Sequence, residues 1–323
     1  MNVAILGTGA YGIALSSMFV KNNCKITMWT KFESEYVNLV KNGCNEKVLP
    51  EYYVDKRINF TMDMKKAIKN ANIIVIAIPI QYLTTIITEV KKYFNKIQHI
   101  CIASKGILDN SRVLPHKIVR KILHTKNVSV ISGPTFAIDM VNNALMGLVV
   151  AGKNVKTNDI IKQYLQNDTL VVNVSNDIDG IELCGAIKNI MAIGCGIIDG
   201  MGYPESTKCM FFTKCFYEMM NIIYTLGGNK VSALTYAGIG DLLLTCTSYK
   251  SRNYTYGIML GQKNDKLVVD EYINKTTIEG RYTLNVLYEL LKKKKINFHI
   301  VSAMYLIVYK NANPELLVTY LKK

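Results

Sequence analysis

A glycine-rich turn near the N-terminus constrains the fold of this chain more than any other stretch of its sequence. The residues Gly7-Thr-Gly9-Ala-Tyr-Gly12 follow the apolar run VAIL and precede the helical pattern YGIALSSMF. A strand before and a helix after raise a G-x-G-x-x-G match above coincidence. Gly7 then permits the tight turn, Gly9 lets a pyrophosphate approach the backbone, and Gly12 lets the helix pack closely. The stretch therefore predicts a dinucleotide-binding βαβ unit.

The rest of the first half alternates short β-branched runs with helical patterns such as 11–21, 80–94 and 113–123. Several of the runs are too apolar to have a wet face, which is typical of parallel sheets covered on both sides by helices. The predicted strands are residues 3–6, 25–29, 73–78, 99–103, 128–132, 147–151 and 170–174. We predict an α/β Rossmann-type N-terminal domain with a mostly parallel sheet over residues 1–178.

After about Asp179 the strand patterns give way to long apolar helices. The predicted helices are residues 181–198, 208–226, 241–247 and 282–295. The turn Ser175–Gly180 has the N-cap chemistry that opens such a helix. We therefore predict an all-α C-terminal domain over residues 179–323.

Lys188, in the middle of one of these helices, is the first catalytic candidate. It lies within Ile181–Ile198, a run that is apolar on every face of a helix and so predicts a buried one. Burial lowers the pKa of a lysine by destabilising the ammonium, which suits acid-base chemistry near neutral pH. The alternative is a lysine whose stem is buried and whose head reaches solvent. A membrane span is disfavoured because Lys188 and Asn189 lie mid-segment.

Composition excludes several classes of function. The eight cysteines form no C-x-x-C pair and lie in apolar runs, which indicates reduced thiols in a cytoplasmic protein. The four histidines are far apart and no carboxylate cluster accompanies them, so no metal site is predicted. The formal charge of +15 is dispersed rather than clustered, which argues against nucleic-acid binding and is compatible with an anionic small-molecule substrate.

Three polar clusters stand out as candidate ligand-binding segments. Ser104-Lys-Gly106 and Ser132-Gly-Pro-Thr-Phe-Ala137 each follow a predicted strand, and open α/β sheets bind ligands at the carboxyl ends of their strands. In the third, Asp241 opens an apolar helix, and Ser251-Arg252-Asn253 follows it with donors suited to phosphate oxygens. Each cluster alone is also compatible with an ordinary turn, N-cap or polar loop.

Lys31 bears on the choice of cofactor. Sites specific for NAD usually carry an Asp or Glu at the end of the second strand, where it binds the ribose hydroxyls. Lys31 stands in that neighbourhood, so a 2′-phosphate could be accepted and we predict a preference for NADPH over NADH. We interpret Glu33, two residues later, as a first-turn helix charge.

Six motifs in order resemble the NAD(P)-dependent glycerol-3-phosphate dehydrogenases of the bacterial type. They are ILGTGAYG, SKGI, SGPTFA, ELCGAIKNIMAIGCGIIDG, GIGDLLLTCTSYKSRNYTYG and TIEG. Thr135 and Ala10 stand where the family commonly has serine, and the segment from Phe298 matches loosely. Thr135 keeps the hydroxyl, whereas Ala10 offers only its backbone.

The resemblance implies reversible reduction of dihydroxyacetone phosphate by NADPH or NADH, giving sn-glycerol 3-phosphate for phospholipid synthesis. It implies that Lys188 is the acid/base group, acting directly or through a water held with its partner Asp241. The implied substrate residues are Lys105, Gly133, Thr135, Lys188, Asp241, Ser251, Arg252 and Asn253. The implied cofactor residues are Gly7, Gly9, Ala10, Tyr11, Gly12, Lys31, Lys105, Ala137, Arg252, Ile278 and Glu279. A homodimer is common in the family, and no membrane insertion is expected.

Two alternatives remain at this point. A β-hydroxyacid dehydrogenase or ketopantoate reductase also combines a Rossmann domain with a helical domain and a catalytic lysine. Lys105 and the Ser251–Asn253 loop argue against that alternative, because they suit a phosphate rather than a carboxylate. A non-catalytic NADP-binding sensor would need neither Lys188 nor Asp241.

Overall fold

A computed structural model of the chain describes residues 1–108 and 113–322, which form two compact units. The first unit is Met1–Lys105 with Pro115–Ile178, and the second is Asp179–Lys323 with the described part of Gly106–Leu114. The division after residue 178 coincides with the change in sequence pattern. The grouping of the segment after Lys105 with the second unit was not predicted. Residues 109–112 and 323, which the two predicted domains include, lie outside the described residues.

The first unit is built on a sheet of eight strands in the order β3-β2-β1-β4-β5-β6-β7-β8. The strands are β1 (Asn2–Leu6), β2 (Lys25–Trp29), β3 (Asn59–Thr61), β4 (Ile73–Ile76), β5 (His99–Ile102), β6 (Val128–Ser132), β7 (Met146–Ala151) and β8 (Leu170–Ser175). The first six strands in this order form five parallel pairs, in the strand order of Rossmann dinucleotide-binding folds. Strand β7 runs antiparallel to β6, and β8 runs parallel to β7. The prediction of a mostly parallel Rossmann-type sheet is confirmed.

Helices cover this sheet. They are α1 (Ala10–Lys21), α2 (Glu33–Asn42), α3 (Met64–Ile68), α4 (Leu83–Val90), α5 (Pro115–Leu123), α6 (Ala137–Val141) and α7 (Val155–Leu165), with a 3₁₀ turn at Ile80–Tyr82. All four residues of β4 are buried, as expected for a strand covered on both faces. Helix α5 begins two residues later than predicted, because Pro115 lacks an N–H and suits the first helical position. Strand β3 was missed because three residues at a sheet edge give no readable pattern.

The second unit is helical, as predicted. Its helices are α8 (Ile178–Gly200), α9 (Glu205–Thr225), α10 (Asp241–Cys246), α11 (Arg252–Gly261), α12 (Lys266–Lys275), α13 (Glu279–Lys293), α14 (His299–Lys310) and α15 (Leu316–Leu321). A 3₁₀ segment, Lys230–Leu234, and a π-helical segment, Tyr236–Gly240, precede α10.

Helix α8 is the core of the second unit. Every residue from Ile181 to Ile198 is buried, which explains why no face of this helix is polar. Among the described residues it is the one helix long and apolar enough to cross a membrane, but its apolar window lies entirely inside the unit. Cys184, Cys195, Cys215 and Cys246 are buried in the core of this unit.

Candidate active site

The glycine turn has the shape that a dinucleotide needs. Gly7 has φ +117°, and a Cβ there would meet the carbonyl oxygen of Ala77 at 2.4 Å. A Cβ on Gly12 would meet the carbonyl oxygen of Gly7 at 2.3 Å, whereas a Cβ on Gly9 would meet nothing within 4 Å. Helix α1 starts at Ala10, and no side chain caps it. Space beside Gly9 and an uncapped helix N-terminus therefore fit the pyrophosphate of NAD(H) or NADP(H).

Tyr11 links the glycine turn to the carboxyl ends of two other strands. Its hydroxyl shares a hydrogen bond of 3.0 Å with Thr135 Oγ1, just after β6. The ammonium of Lys105, which follows β5, lies 6.0 Å from the centre of the Tyr11 ring. The fold thus brings together three residues that the sequence placed in separate motifs.

Gly133 and Ala137 belong to the same edge of the sheet. A Cβ on Gly133 would meet the carbonyl oxygen of Gly147 at 2.5 Å, so only glycine lets this turn lie against β7. Ala137 is the first residue of α6, a helix that packs on α1.

The region after β2 contains a carboxylate that the sequence analysis did not single out. Lys31 and Glu33 are both exposed, Glu33 as the first residue of α2. Glu35 is half-buried instead, and its carboxylate accepts hydrogen bonds from Thr8 of the glycine turn and from Thr30.

In the second unit, Lys188 pairs with Asp241. Lys188 is 8% exposed, and its ammonium donates to Asp241 Oδ1 and to Thr245 Oγ1, the latter at 3.0 Å. Thr245 in turn donates to the backbone oxygen of Asp241 at 2.6 Å. The lysine head is therefore held by a buried carboxylate and a hydroxyl from α10. Thr245 was missed, although its place one helical turn after Asp241 was a readable signal.

The π-helical segment before α10 places Asp241. A Cβ on Gly238 would meet the carbonyl oxygen of Ala233 at 2.1 Å, so this segment folds tightly on the preceding 3₁₀ turn. Segments of this type occur frequently at functional sites. Here the segment ends where Asp241 begins α10, and Asp241 is 1% exposed.

Helix α11 carries the polar tripeptide. Ser251 caps the helix and accepts a hydrogen bond from the N–H of Tyr254 at 3.3 Å. Arg252 is exposed, and Asn253 Oδ1 accepts from the N–H of Gly280 at 2.8 Å. Asn253 therefore anchors the start of α13, a contact that its sequence motif did not indicate.

Ile278 and Glu279 lie at the start of α13. Ile278 is the N-cap residue, and Glu279 Oε2 accepts a hydrogen bond of 3.1 Å from Asn189 Nδ2. Because Asn189 follows Lys188 on α8, this bond ties the start of α13 to the helix of the catalytic candidate. This contact of Asn189 was not predicted from the sequence.

Glycines let α8 and α11 approach within backbone contact. A Cβ on Gly196 or Gly200 of α8 would lie 2.1 and 2.3 Å from the backbone oxygens of Tyr254 and Ile258. A Cβ on Gly257 or Gly261 of α11 would likewise meet backbone oxygens of α8 at 2.1 and 2.3 Å. The spacing of four residues in both helices puts these glycines on facing stripes, as in other close helix pairs.

The predicted site residues thus fall into two groups. Within the first unit the structure brings together the glycine turn, Tyr11, Lys105 and Thr135. Within the second it brings together Lys188 and Asp241, and separately Asn253 and the start of α13. Among residues 1–108 and 113–322, no cluster of three or more His, Cys, Asp or Glu side chains could hold a metal ion.

Comparisons with known proteins identify the family to which both halves of the chain are similar. Residues 2–158 match the family model described as the N-terminus of NAD-dependent glycerol-3-phosphate dehydrogenase, and residues 177–319 match that of its C-terminus. A glycerol-3-phosphate dehydrogenase [NAD(P)+] from Staphylococcus haemolyticus is 31% identical over 97% of this chain and 94% of its own. One from Wigglesworthia glossinidia brevipalpis is 32% identical over 95% of this chain and 94% of its own.

A solved structure of the same family also matches this chain. The glycerol-3-phosphate dehydrogenase of Coxiella burnetii superposes with a TM-score of 0.93 at 28% identity. The match covers 100% of this chain and 98% of the other.

Proposed function

This chain belongs to the NAD-dependent glycerol-3-phosphate dehydrogenase family, and on that premise we propose which of its residues carry out the reaction. The protein is an oxidoreductase that uses NAD(P)H to reduce dihydroxyacetone phosphate reversibly to sn-glycerol 3-phosphate. Supply of glycerol phosphate for phospholipids is the typical role of the family. Membership decides against the ketopantoate reductase, hydroxyacid dehydrogenase and sensor alternatives. A cytoplasmic location and a homodimer belong to the proposal.

The buried contact between Lys188 and Asp241 carries the proposal for the chemistry. The bound nicotinamide cofactor supplies the hydride. As the substrate carbonyl becomes an alkoxide, its oxygen needs a proton from a positioned donor, and Lys188 provides it from Nζ. In the reverse direction the neutral amine takes that proton back.

Asp241 and Thr245 prepare Lys188 for this role. Asp241 compensates the charge of the ammonium, and Thr245 holds one of its N–H groups at 3.0 Å. A lysine held on two sides has less side-chain freedom to lose when substrate binds, so the proton is already oriented.

The remaining substrate residues are proposed from the family motifs. Arg252 is exposed at the N-terminus of α11, where a guanidinium fork and the helix N–H groups suit the phosphate of the substrate. Ser251 accepts a hydrogen bond from Tyr254, so its own hydroxyl proton can be donated to a phosphate oxygen. We propose that Lys105, Gly133, Thr135 and Asn253 also contact the substrate.

The proposed cofactor residues begin with the turn Gly7–Gly12, where the backbone holds the pyrophosphate and Tyr11 lies beside it. Ala10, Lys31, Lys105, Ala137, Arg252, Ile278 and Glu279 complete the proposed set. Glu279 is oriented by Asn189, the neighbour of Lys188 on α8.

The proposal is tested by oxidation of NADH and NADPH in the presence of dihydroxyacetone phosphate. We expect turnover by the wild-type protein and a loss of about 100-fold or more in kcat for Lys188→Ala. Cofactor binding, measured by nicotinamide fluorescence, should persist in that variant. Lys214→Ala, on an exposed face of α9, is the matched control and should keep its turnover. Undiminished turnover in Lys188→Ala would contradict the assignment of the acid/base.

A further inference from the structure

Glu35 is fixed beside the glycine turn by two hydroxyl groups. Its Oε2 accepts a hydrogen bond from Thr8 Oγ1 and a second from Thr30 Oγ1 at 2.8 Å. Thr8 and Thr30 are each 2% exposed, so neither hydroxyl can readily replace its hydrogen bond to Glu35 by one to water. Thr30 Oγ1 also accepts from the N–H of Phe32 at 3.2 Å, which sets the direction of its proton toward Glu35.

The backbone around this carboxylate is equally constrained. The N–H of Gly7 donates to the oxygen of Trp29 at 2.9 Å, which joins the start of the glycine turn to the end of β2. Asn45 Nδ2 donates to the backbone oxygen of Thr8 at 3.1 Å. Glu35 therefore occupies a defined place between the glycine turn and the end of β2.

In dinucleotide-binding folds, a carboxylate at this position helps to select between NAD(H) and NADP(H). A carboxylate at the end of the second strand receives the ribose hydroxyls of NAD(H), and it meets the 2′-phosphate of NADP(H) as a like charge. In this chain the residue directly after β2 is Thr30, not an acid. The acid comes from the first turns of α2 instead and reaches back to Thr30 and Thr8.

We propose that Glu35 is a specificity-determining residue that favours NADH over NADPH. The inference rests on the proposed cofactor site, and it runs against the preference predicted from Lys31. Lys31 is exposed, so water screens its charge and its long side chain must be ordered before it can hold a phosphate. Glu35 is half-buried and already ordered by two hydrogen bonds, so its effect on the cofactor is the larger one.

The test measures dissociation constants of NADH and NADPH from nicotinamide fluorescence, without any turnover. The variants are Glu35→Gln, whose amide oxygen still accepts from Thr8 and Thr30, and Glu33→Gln. Glu33 lies two residues earlier and is exposed, so it matches the change in charge without the hydrogen bonds. Thermal unfolding checks that both variants are folded.

We expect the wild-type protein and Glu33→Gln to bind NADH about tenfold or more tightly than NADPH. In Glu35→Gln the affinity for NADPH should rise about tenfold, and that for NADH should fall by a few fold because a ribose hydroxyl loses a charged acceptor. Equal or tighter binding of NADPH by the wild-type protein, or a Glu35→Gln variant with the wild-type ratio, would overturn the inference. Failure of the wild-type protein to bind either dinucleotide would overturn the proposed function and this inference with it.

Discussion

Lys188 and Asp241 form an ion pair that is almost fully removed from water, between the middle of α8 and the first residue of α10. Asp241 is 1% exposed and Lys188 is 8% exposed. Desolvation makes such a pair a weak source of stability, but the removal of one partner leaves the other charge buried and uncompensated. The pair is therefore costly to break on one side and is better explained by chemistry than by folding.

Neutralising both partners should stabilise the protein relative to neutralising one. In Lys188→Met the Asp241 carboxylate loses its counter-ion, and we expect unfolding to become easier by about 3 to 5 kcal/mol. The double variant Lys188→Met/Asp241→Asn should recover about 1 kcal/mol or more of that loss while remaining inactive. Urea denaturation of the three proteins measures the difference. A double variant no more stable than Lys188→Met would show that charge burial is not the cause.

Thr245→Val should reduce kcat. The valine cannot accept a hydrogen bond from the Lys188 ammonium, so the proposed proton donor loses one of the two contacts that orient it. We expect kcat to fall about tenfold, the value of one modest hydrogen bond. Thr247→Val is the control, because Thr247 makes the same type of bond to a backbone oxygen, that of Leu243 at 2.8 Å, and is exposed. Equal effects of the two substitutions on kcat would show that the loss of this helix bond alone accounts for the result.

Much of the first unit could be predicted because its signals are local. The runs VAIL, KITMW and VSVIS are short and rich in apolar and β-branched residues, and each lies in a strand of the sheet. The glycine turn follows β1 as its spacing required. The pattern of long apolar helices after Asp179 was an equally local signal. Helix α8 extends beyond its predicted range by three residues at its start and two at its end.

Contacts between distant residues could not be predicted in the same way. Glu35 is one of several acids in its segment, and only the packing of α2 brings its carboxylate to Thr8. The facing glycines of α8 and α11 have a readable spacing of four residues, but the spacing does not say which helices touch. Thr245 is the exception, because its distance from Asp241 along α10 made the contact predictable.

Two glycines of the turn should respond differently to alanine. Gly9→Ala places a methyl group in open space at φ −70°, so we expect stability to change by less than about 0.5 kcal/mol. The same methyl group occupies the approach of the pyrophosphate and should weaken NADH binding about tenfold or more. Thermal unfolding and fluorescence titration measure the two effects. Unchanged NADH affinity in Gly9→Ala would contradict the proposed cofactor position.

Gly12→Ala should lower both the stability of the protein and its affinity for the cofactor. Its Cβ would lie 2.3 Å from the backbone oxygen of Gly7, so the turn or α1 must shift. Overpacking of this kind costs about 1 to 3 kcal/mol. Thermal unfolding of this variant beside Gly9→Ala is the measurement, and equal melting temperatures would show that the close contact is relieved without strain.

Asp199 should make the protein sensitive to acid. It lies near the end of α8 and accepts hydrogen bonds from Lys208, from Tyr254 at 2.9 Å and from Tyr249 at 3.1 Å. Burial raises the pKa of this carboxyl, but the hydrogen bonds from Lys208 and the tyrosines outweigh it and leave the pKa below the ordinary value. Tyr254 follows Asn253, so the same carboxylate fixes the first turn of α11 to α8.

The sign of the pH effect follows from the lowered pKa of Asp199. A carboxylate with a lowered pKa contributes stability above the pKa of the unfolded chain, 3.8 for aspartate, and that contribution is lost as pH falls through the folded value. Asp199→Asn should therefore lower the free energy of unfolding at neutral pH by about 1 to 3 kcal/mol and show a smaller loss on further acidification. Urea denaturation from neutral pH to below that value measures this. Asp270→Asn, an exposed carboxylate on α12, should retain the wild-type pH dependence, and a parallel loss in all three proteins would assign the acid sensitivity to other groups.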